Sequence, residues 1–135
     1  MRKTLGALAL ITAISSGCAK YDYKAYDGPS LPSSEIATID TESWRDVKIA
    51  YVDGKKALNI PVFLIVGTWP TTVYVKPGHH EIVPCFHTPY YDLYNGALEI
   101  EAQAGRIYTV KYKLEDIKKV KFRIEEKNQI EQAVK

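Results

Sequence analysis

Between Arg45 and Ile124 the chain alternates apolar and polar residues with period two, and this pattern commits it to sheet. Val47, Ile49 and Tyr51 alternate with Asp46, Lys48 and Ala50; Leu98, Ile100 and Ala102 with Glu99, Glu101 and Gln103. Tyr108, Val110, Tyr112 and Leu114 alternate with Thr109, Lys111 and Lys113; Val120, Phe122 and Ile124 with Lys119, Lys121 and Arg123. Successive side chains of a strand point to opposite faces, so each segment reads as a half-buried strand with its apolar set inward. Val62–Val66 is continuously apolar and reads as a strand buried on both faces. Turn chemistry at Asp53-Gly54, Pro77-Gly78, Asn95-Gly96 and Ala104-Gly105 punctuates the strands at roughly the 8–12-residue spacing of all-β domains. The expectation is an all-β fold: a small antiparallel β-sandwich of about seven strands over residues 35–127, with a small barrel as the alternative. Residues 79–87 carry Pro84, which marks that strand as an edge or a bulge. Residues 128–135 form a C-terminal tail, helical or frayed.

The N-terminus is of a different kind. Arg2 and Lys3 are followed by an uncharged stretch to Gly17, with an apolar heart at Leu5–Ile14. That heart is short for a membrane span, which takes about 20 residues, and suits the apolar region of a secretion signal, roughly 7–15 residues. Small residues follow as Ser15, Ser16 and Gly17, and then Cys18. Residues 1–18 resemble the signal of a bacterial lipoprotein. The resemblance implies cleavage after residue 17, a diacylglycerol on the Cys18 thiol and, often, a further acyl chain such as palmitate on the new amino group. Ser15 stands where the commonest pattern has Leu. The plainer alternative is an ordinary cleaved signal with an incidental cysteine. Ala19 rather than Asp follows Cys18, which in a Gram-negative organism implies the outer membrane, facing the periplasm. Residues 18–34, broken by Gly28, Pro29 and Pro32, read as a flexible tether that would span roughly 50 Å if extended. Tyr21, Tyr23 and Tyr26 suit either the membrane interface or the domain surface.

Charge narrows the partners. The whole chain has 18 basic and 16 acidic residues, and removing Arg2 and Lys3 with the signal leaves 16 of each. A neutral mature chain without a dense basic block does not suggest nucleic acid. Cys85 is the second of two cysteines. With Cys18 lipidated it has no disulfide mate, and a buried thiol is the first expectation.

A second resemblance rests on Val52-Asp53-Gly54, Pro77–Ile82 ("PGHHEI") and Ala102–Tyr112 ("AQAGRIYTVKY"). These segments resemble small PEGA-like envelope β-domains, over about residues 45–114. The resemblance implies a fold and no catalytic residues.

Three side-chain groups invite a chemical reading. His79, Glu81, Cys85 and His87 share one strand face if alternation holds, and their donor types suit zinc or copper. Against this, same-face residues lie nearly 7 Å apart per step, so one strand gathers ligands poorly. The alternative sends His80 inward with Ile82 and Phe86 and leaves His79, Glu81 and His87 solvated. Tyr90, Tyr91 and Tyr94 crowd one loop and, with Trp69, offer faces for stacking on a glycan; the alternative folds them back as a cap. Glu99 and Glu101 read as a solvated pair facing Lys111 or Lys113. Cys85 and His87 form only a nominal dyad, and no Gly-x-Ser-x-Gly elbow or phosphate loop is present.

The expected function is therefore a non-enzymatic, lipid-anchored envelope protein, without a cofactor other than the lipid on Cys18. Its β-domain would tether or bind a protein partner. A ligand-binding module for glycan or metal is the alternative.

Overall fold

The computed structural model describes residues 22–57 and 69–127. The Val62–Val66 segment, Cys18 with its signal, and the tail from residue 128 lie outside the described residues. The protein is all-β, and two sheets enclose one core. The strands are β1 (Asp22–Lys24), β2 (Ala37–Thr41), β3 (Val47–Val52), β4 (Lys55–Lys56), β5 (Thr72–Val75), β6 (Gly78–His87), β7 (Asp92–Tyr94), β8 (Leu98–Ala102), β9 (Ile107–Asp116) and β10 (Lys119–Glu126). The first sheet runs β1-β5-β2-β9-β10. The second runs β4-β3-β6-β7, with β8 also on β6.

The core follows from the alternation. Ile39, Val73, Val75, Tyr108 and Val110 face inward from the first sheet, and Val47, Ile49, Val52, Ile82, Ile100 and Ala102 from the second. Burial of such side chains stabilises by about 1.5–3 kcal/mol each before entropy is subtracted.

Four expectations need correction. The sheets are not purely antiparallel: β1 pairs β5 and β2 pairs β9 in parallel. Parallel neighbours need a long crossover, and here the intervening strands of the second sheet supply it. The tether is not free over residues 18–34. Asp22–Lys24 adds an edge strand beside Thr72–Tyr74, and the Tyr74 hydroxyl pins it by donating to Asp22 Oδ2 at 2.8 Å. Tyr23 packs on the core from there.

The strand carrying Pro84 is central and not an edge, because β6 pairs β3 on one side and both β7 and β8 on the other, whereas the bulge expected with Pro84 is found on the partner strand, where the register of β3 shifts opposite it. Proline fits because of local register. The Ile49 N–H donates away from β6, to Pro70 O at 2.9 Å, so Ile49 and Pro84 face each other without exchanging hydrogen bonds. The Pro84 nitrogen therefore points to the other side, where partnership passes from Leu98 of β8 to Tyr94 of β7 and no strand residue is registered opposite Pro84.

The fourth correction concerns Tyr51. Cross-strand pairs run Lys48–Cys85, Ile49–Pro84 and then Tyr51–Val83, so Ala50 is a bulged residue without a partner. One extra residue reverses the alternation beyond it. Tyr51 therefore faces outward, and Val52 takes the inward position opposite Ile82.

Candidate functional site

The outer face of the second sheet gathers most of the residues with chemical potential. Directly paired residues share a face, so Lys48, Cys85 and Tyr94 form a row across β3, β6 and β7. Beside it stand Val83 and Tyr51, placed there by the bulge. The Tyr51 and Trp69 rings lie 6.5 Å apart and tilted, and Lys56 Nζ sits 5.4 Å from the Trp69 ring centroid. Tyr94 is half exposed at the edge of this group. The aromatic set expected as one site is thus divided. Trp69 and Tyr94 belong to this face with Tyr51, whereas the Tyr91 hydroxyl donates to Ile117 O at 3.0 Å, towards the β9–β10 turn. Tyr90 projects into solvent.

β6 keeps its alternation, so His79, Glu81, Cys85 and His87 do share this face, as expected. They are nevertheless not brought together. His79 Nδ1 lies 2.8 Å from Glu101 Oε1, and its Nε2 lies 3.9 Å from Glu99. His87 Nδ1 lies 2.6 Å from Asp92 Oδ1. Each histidine is held by a carboxylate of the strand paired with it, β8 or β7. Glu99 and Glu101 therefore face His79 rather than Lys111 or Lys113. Among the described residues, no three His, Cys, Asp or Glu side chains are arranged to hold a metal ion.

Cys85 is fully buried and, among the described residues, forms no disulfide. Burial, aided by the Asp92 carboxylate, pushes its thiol up to about 11, against a weaker downward pull from Tyr94. At neutral pH roughly one such thiol in ten thousand is thiolate, so it is a poor nucleophile and a poor ligand. Burial also raises the Tyr94 hydroxyl to about 12. Lys48 is lowered by burial, partly offset by Asp46, and its ammonium donates to Trp44 O.

His80 takes the inward orientation and serves the fold. Its Nδ1 lies 2.6 Å from Asp53 Oδ2 and its Nε2 2.6 Å from Lys76 O. Asp53 Oδ1 accepts from the Glu81 N–H at 2.8 Å. Burial raises Asp53, but the bonds from His80 and Glu81 outweigh it and leave the carboxyl below its usual range. One carboxylate thereby ties the Asp53-Gly54 turn to the turn before β6. Asp53 itself stands at φ +51°, a conformation that Asp tolerates better than most residues.

Sequence reasoning missed Tyr51, because nothing in Ala50 announces a bulge. It missed Asp53 and Asp92 as histidine partners, because both lie on other strands or turns. The Asp53-Gly54 signal was present, but only as turn chemistry.

No family model, curated protein or solved structure matches this chain. The PEGA-like resemblance rests on its three short segments alone.

Proposed function

We propose that this is a bacterial lipoprotein of the cell envelope, anchored through acyl chains on Cys18, whose PEGA-like β-domain is a non-enzymatic tethering or protein-interaction module. In a Gram-negative organism its place is the outer membrane, facing the periplasm. The observation that carries the reading is the arrangement of the N-terminus: a signal-like segment ends in Cys18, and only Ala19–Tyr21 separate that cysteine from β1. The domain begins where an anchor would end. One acyl chain binds a membrane marginally and two or more bind it stably, so a diacylated Cys18 suffices to hold the domain. The non-enzymatic part is supported by how the reactive side chains are used. Cys85 is buried with its thiol raised, and His79, His80 and His87 are each occupied by a carboxylate. Mass spectrometry of the full-length protein extracted from its native membrane tests the anchor. The expected mass is that of residues 18–135 plus acyl chains; a mature chain without lipid refutes it.

The second reading is glycan binding on the Tyr51–Trp69–Tyr94 face, favoured by the tilted Tyr51–Trp69 pair with Lys56 over Trp69. Trp69→Ala would then weaken peptidoglycan pulldown without lowering the melting temperature, and Tyr90→Ala would leave both unchanged. Equal binding by the wild type and Trp69→Ala rejects it.

A further inference from the structure

The strand register sorts the connections into two ends. Asp22 is level with Thr72 and Asp40, Thr41 with Val110, Val47 with Phe86, and His87 with Asp92. One end therefore carries the entry of the chain at Asp22, the turn at 42–46, the loop at 88–91 and the projecting β9–β10 hairpin. The opposite end carries the turns at Asp53-Gly54, Pro77-Gly78 and Ala104-Gly105. Among the described residues, the exposed large apolar side chains are not shared between them. Trp44, Tyr90, Tyr91, Leu114 and Ile117 all lie at the first end, and Tyr94 lies on the strand leading from it. Tyr90 is 91% and Ile117 75% exposed. The Tyr91–Ile117 hydrogen bond holds the aromatic loop against the hairpin tip.

Basic residues surround these groups. Arg45 and Lys48 lie 5.2 and 6.0 Å from the Trp44 ring. Residues 111–125 hold five lysines and one arginine against Glu115, Asp116 and Glu125, and Glu125 is spent on Lys111 and Arg123 at 3.2 and 2.7 Å. Glu115 is spent on Lys119 and Lys121, at 3.1 and 2.8 Å. Asp116 accepts from the Ile117 N–H. The neutral charge of the mature chain thus conceals a hairpin of formal charge +3 over residues 111–125, whereas Glu42 and Asp46 balance Arg45 and Lys48 beside Trp44.

The first described residue, Asp22, also lies at this end. β1 is parallel to β5 and antiparallel to β9, so Asp22 lies at the end of the sheet toward which β9 runs. Four residue steps separate Cys18 from Asp22, a reach of at most about 14 Å.

We infer that this end of the domain is a second membrane contact: an anionic lipid surface is the partner of Trp44, Tyr90, Tyr91, Leu114 and Ile117. The inference rests on the lipid-anchor reading, because the short link to Cys18 presents this end to the bilayer. Tyr and Trp place an apolar body and a polar tip at the headgroup level, Leu and Ile enter the acyl boundary, and the lysines meet lipid phosphates. A protein partner would more naturally bind one continuous patch than side chains spread along the rims of three separate connections.

The test places the lipidated full chain, with Ile117→Trp, in vesicles of phosphatidylcholine with or without phosphatidylglycerol, using brominated acyl chains as the quencher. Emission is read against the unsubstituted protein, whose Trp44 and Trp69 supply the background. Flotation with the vesicles reports the anchor separately. The expected result is flotation in both lipids, with a blue shift and loss of the added emission in phosphatidylglycerol vesicles, and recovery of that emission in high salt. A second variant, Lys113→Glu with Lys118→Glu, should restore the emission while flotation persists. Flotation with Ile117→Trp unquenched and open to acrylamide overturns the inference and leaves the anchor standing. Absence of flotation overturns both. Shielding from acrylamide in native membranes without quenching by brominated lipid assigns the surface to a protein and overturns the inference.

Discussion

At the scale of single residues, one partly exposed carboxyl and one buried thiol make stability depend on pH. Asp53 is depressed by its bonds to His80 and the Glu81 N–H. Its contribution is fully present above the ordinary carboxyl range and is lost as pH falls through the lowered value. Asp53→Ala should cost about 1 kcal/mol at neutral pH, at the low end for a charged hydrogen-bond acceptor because the side chain is partly exposed. Urea denaturation at pH 7 and pH 3 should show that difference shrinking at the acid end. Cys85 behaves in the opposite sense. Its thiol is raised from 9.0 to about 11, so its contribution is intact below pH 9 and fades as pH climbs through 11. The linked loss is about 2–3 kcal/mol. Cys85→Ala should flatten that part of the alkaline limb, and the native wild-type thiol should react with a disulfide reagent at pH 8 far more slowly than the unfolded chain. Burial of Cys85 was legible from residue type alone, since a free thiol in a period-two strand behaves as a small hydrophobe. The carboxylate partners of the histidines were not, because each pair is brought together by a turn or a neighbouring strand.

At the scale of elements, the decisive feature is one bulge. Ala50 absorbs a residue in β3, and so Tyr51 joins Trp69 outside while Val52 enters the core. Deleting Ala50 should turn Tyr51 inward and Val52 outward and cost more than about 3 kcal/mol, whereas Tyr51→Ala should cost well under that. The two midpoints in urea decide it: equal losses would mean that the bulge has no structural role. The same register argument explains why the strand types were readable and their neighbours were not. Alternation at Leu98–Ala102 and Tyr108–Leu114 reports only that one face is wet. Whether a strand lies at the centre or the edge depends on chains that arrive from elsewhere. Pro84 illustrates the point, since proline excludes a hydrogen bond on one side of a strand, and only the gap between β7 and β8 shows that no strand residue is registered opposite Pro84 on this side.

At the scale of the whole molecule, both sheets share one core, so the domain should unfold as a unit. Ile82 is fully buried between them. Ile82→Ala should cost about 2–4 kcal/mol and leave a single transition by tryptophan emission and by circular dichroism; two separated transitions would show that the sheets fold independently. The sequence by itself determined the strand class, most turns, the inward set at Ile49, Ile82 and Val110, and the candidate anchor at Cys18. These are local properties, because period-two patterning, glycine turns and a signal-like segment are all written within a few neighbouring residues. Tertiary structure decided the rest. It docked Asp22–Lys24 as β1, it set β6 at the centre, and it divided the aromatic residues between a sheet face and one end of the molecule. Those outcomes depend on which distant strands pair and in what register, and the energy that selects a register is the burial of a shared core, which no single segment contains.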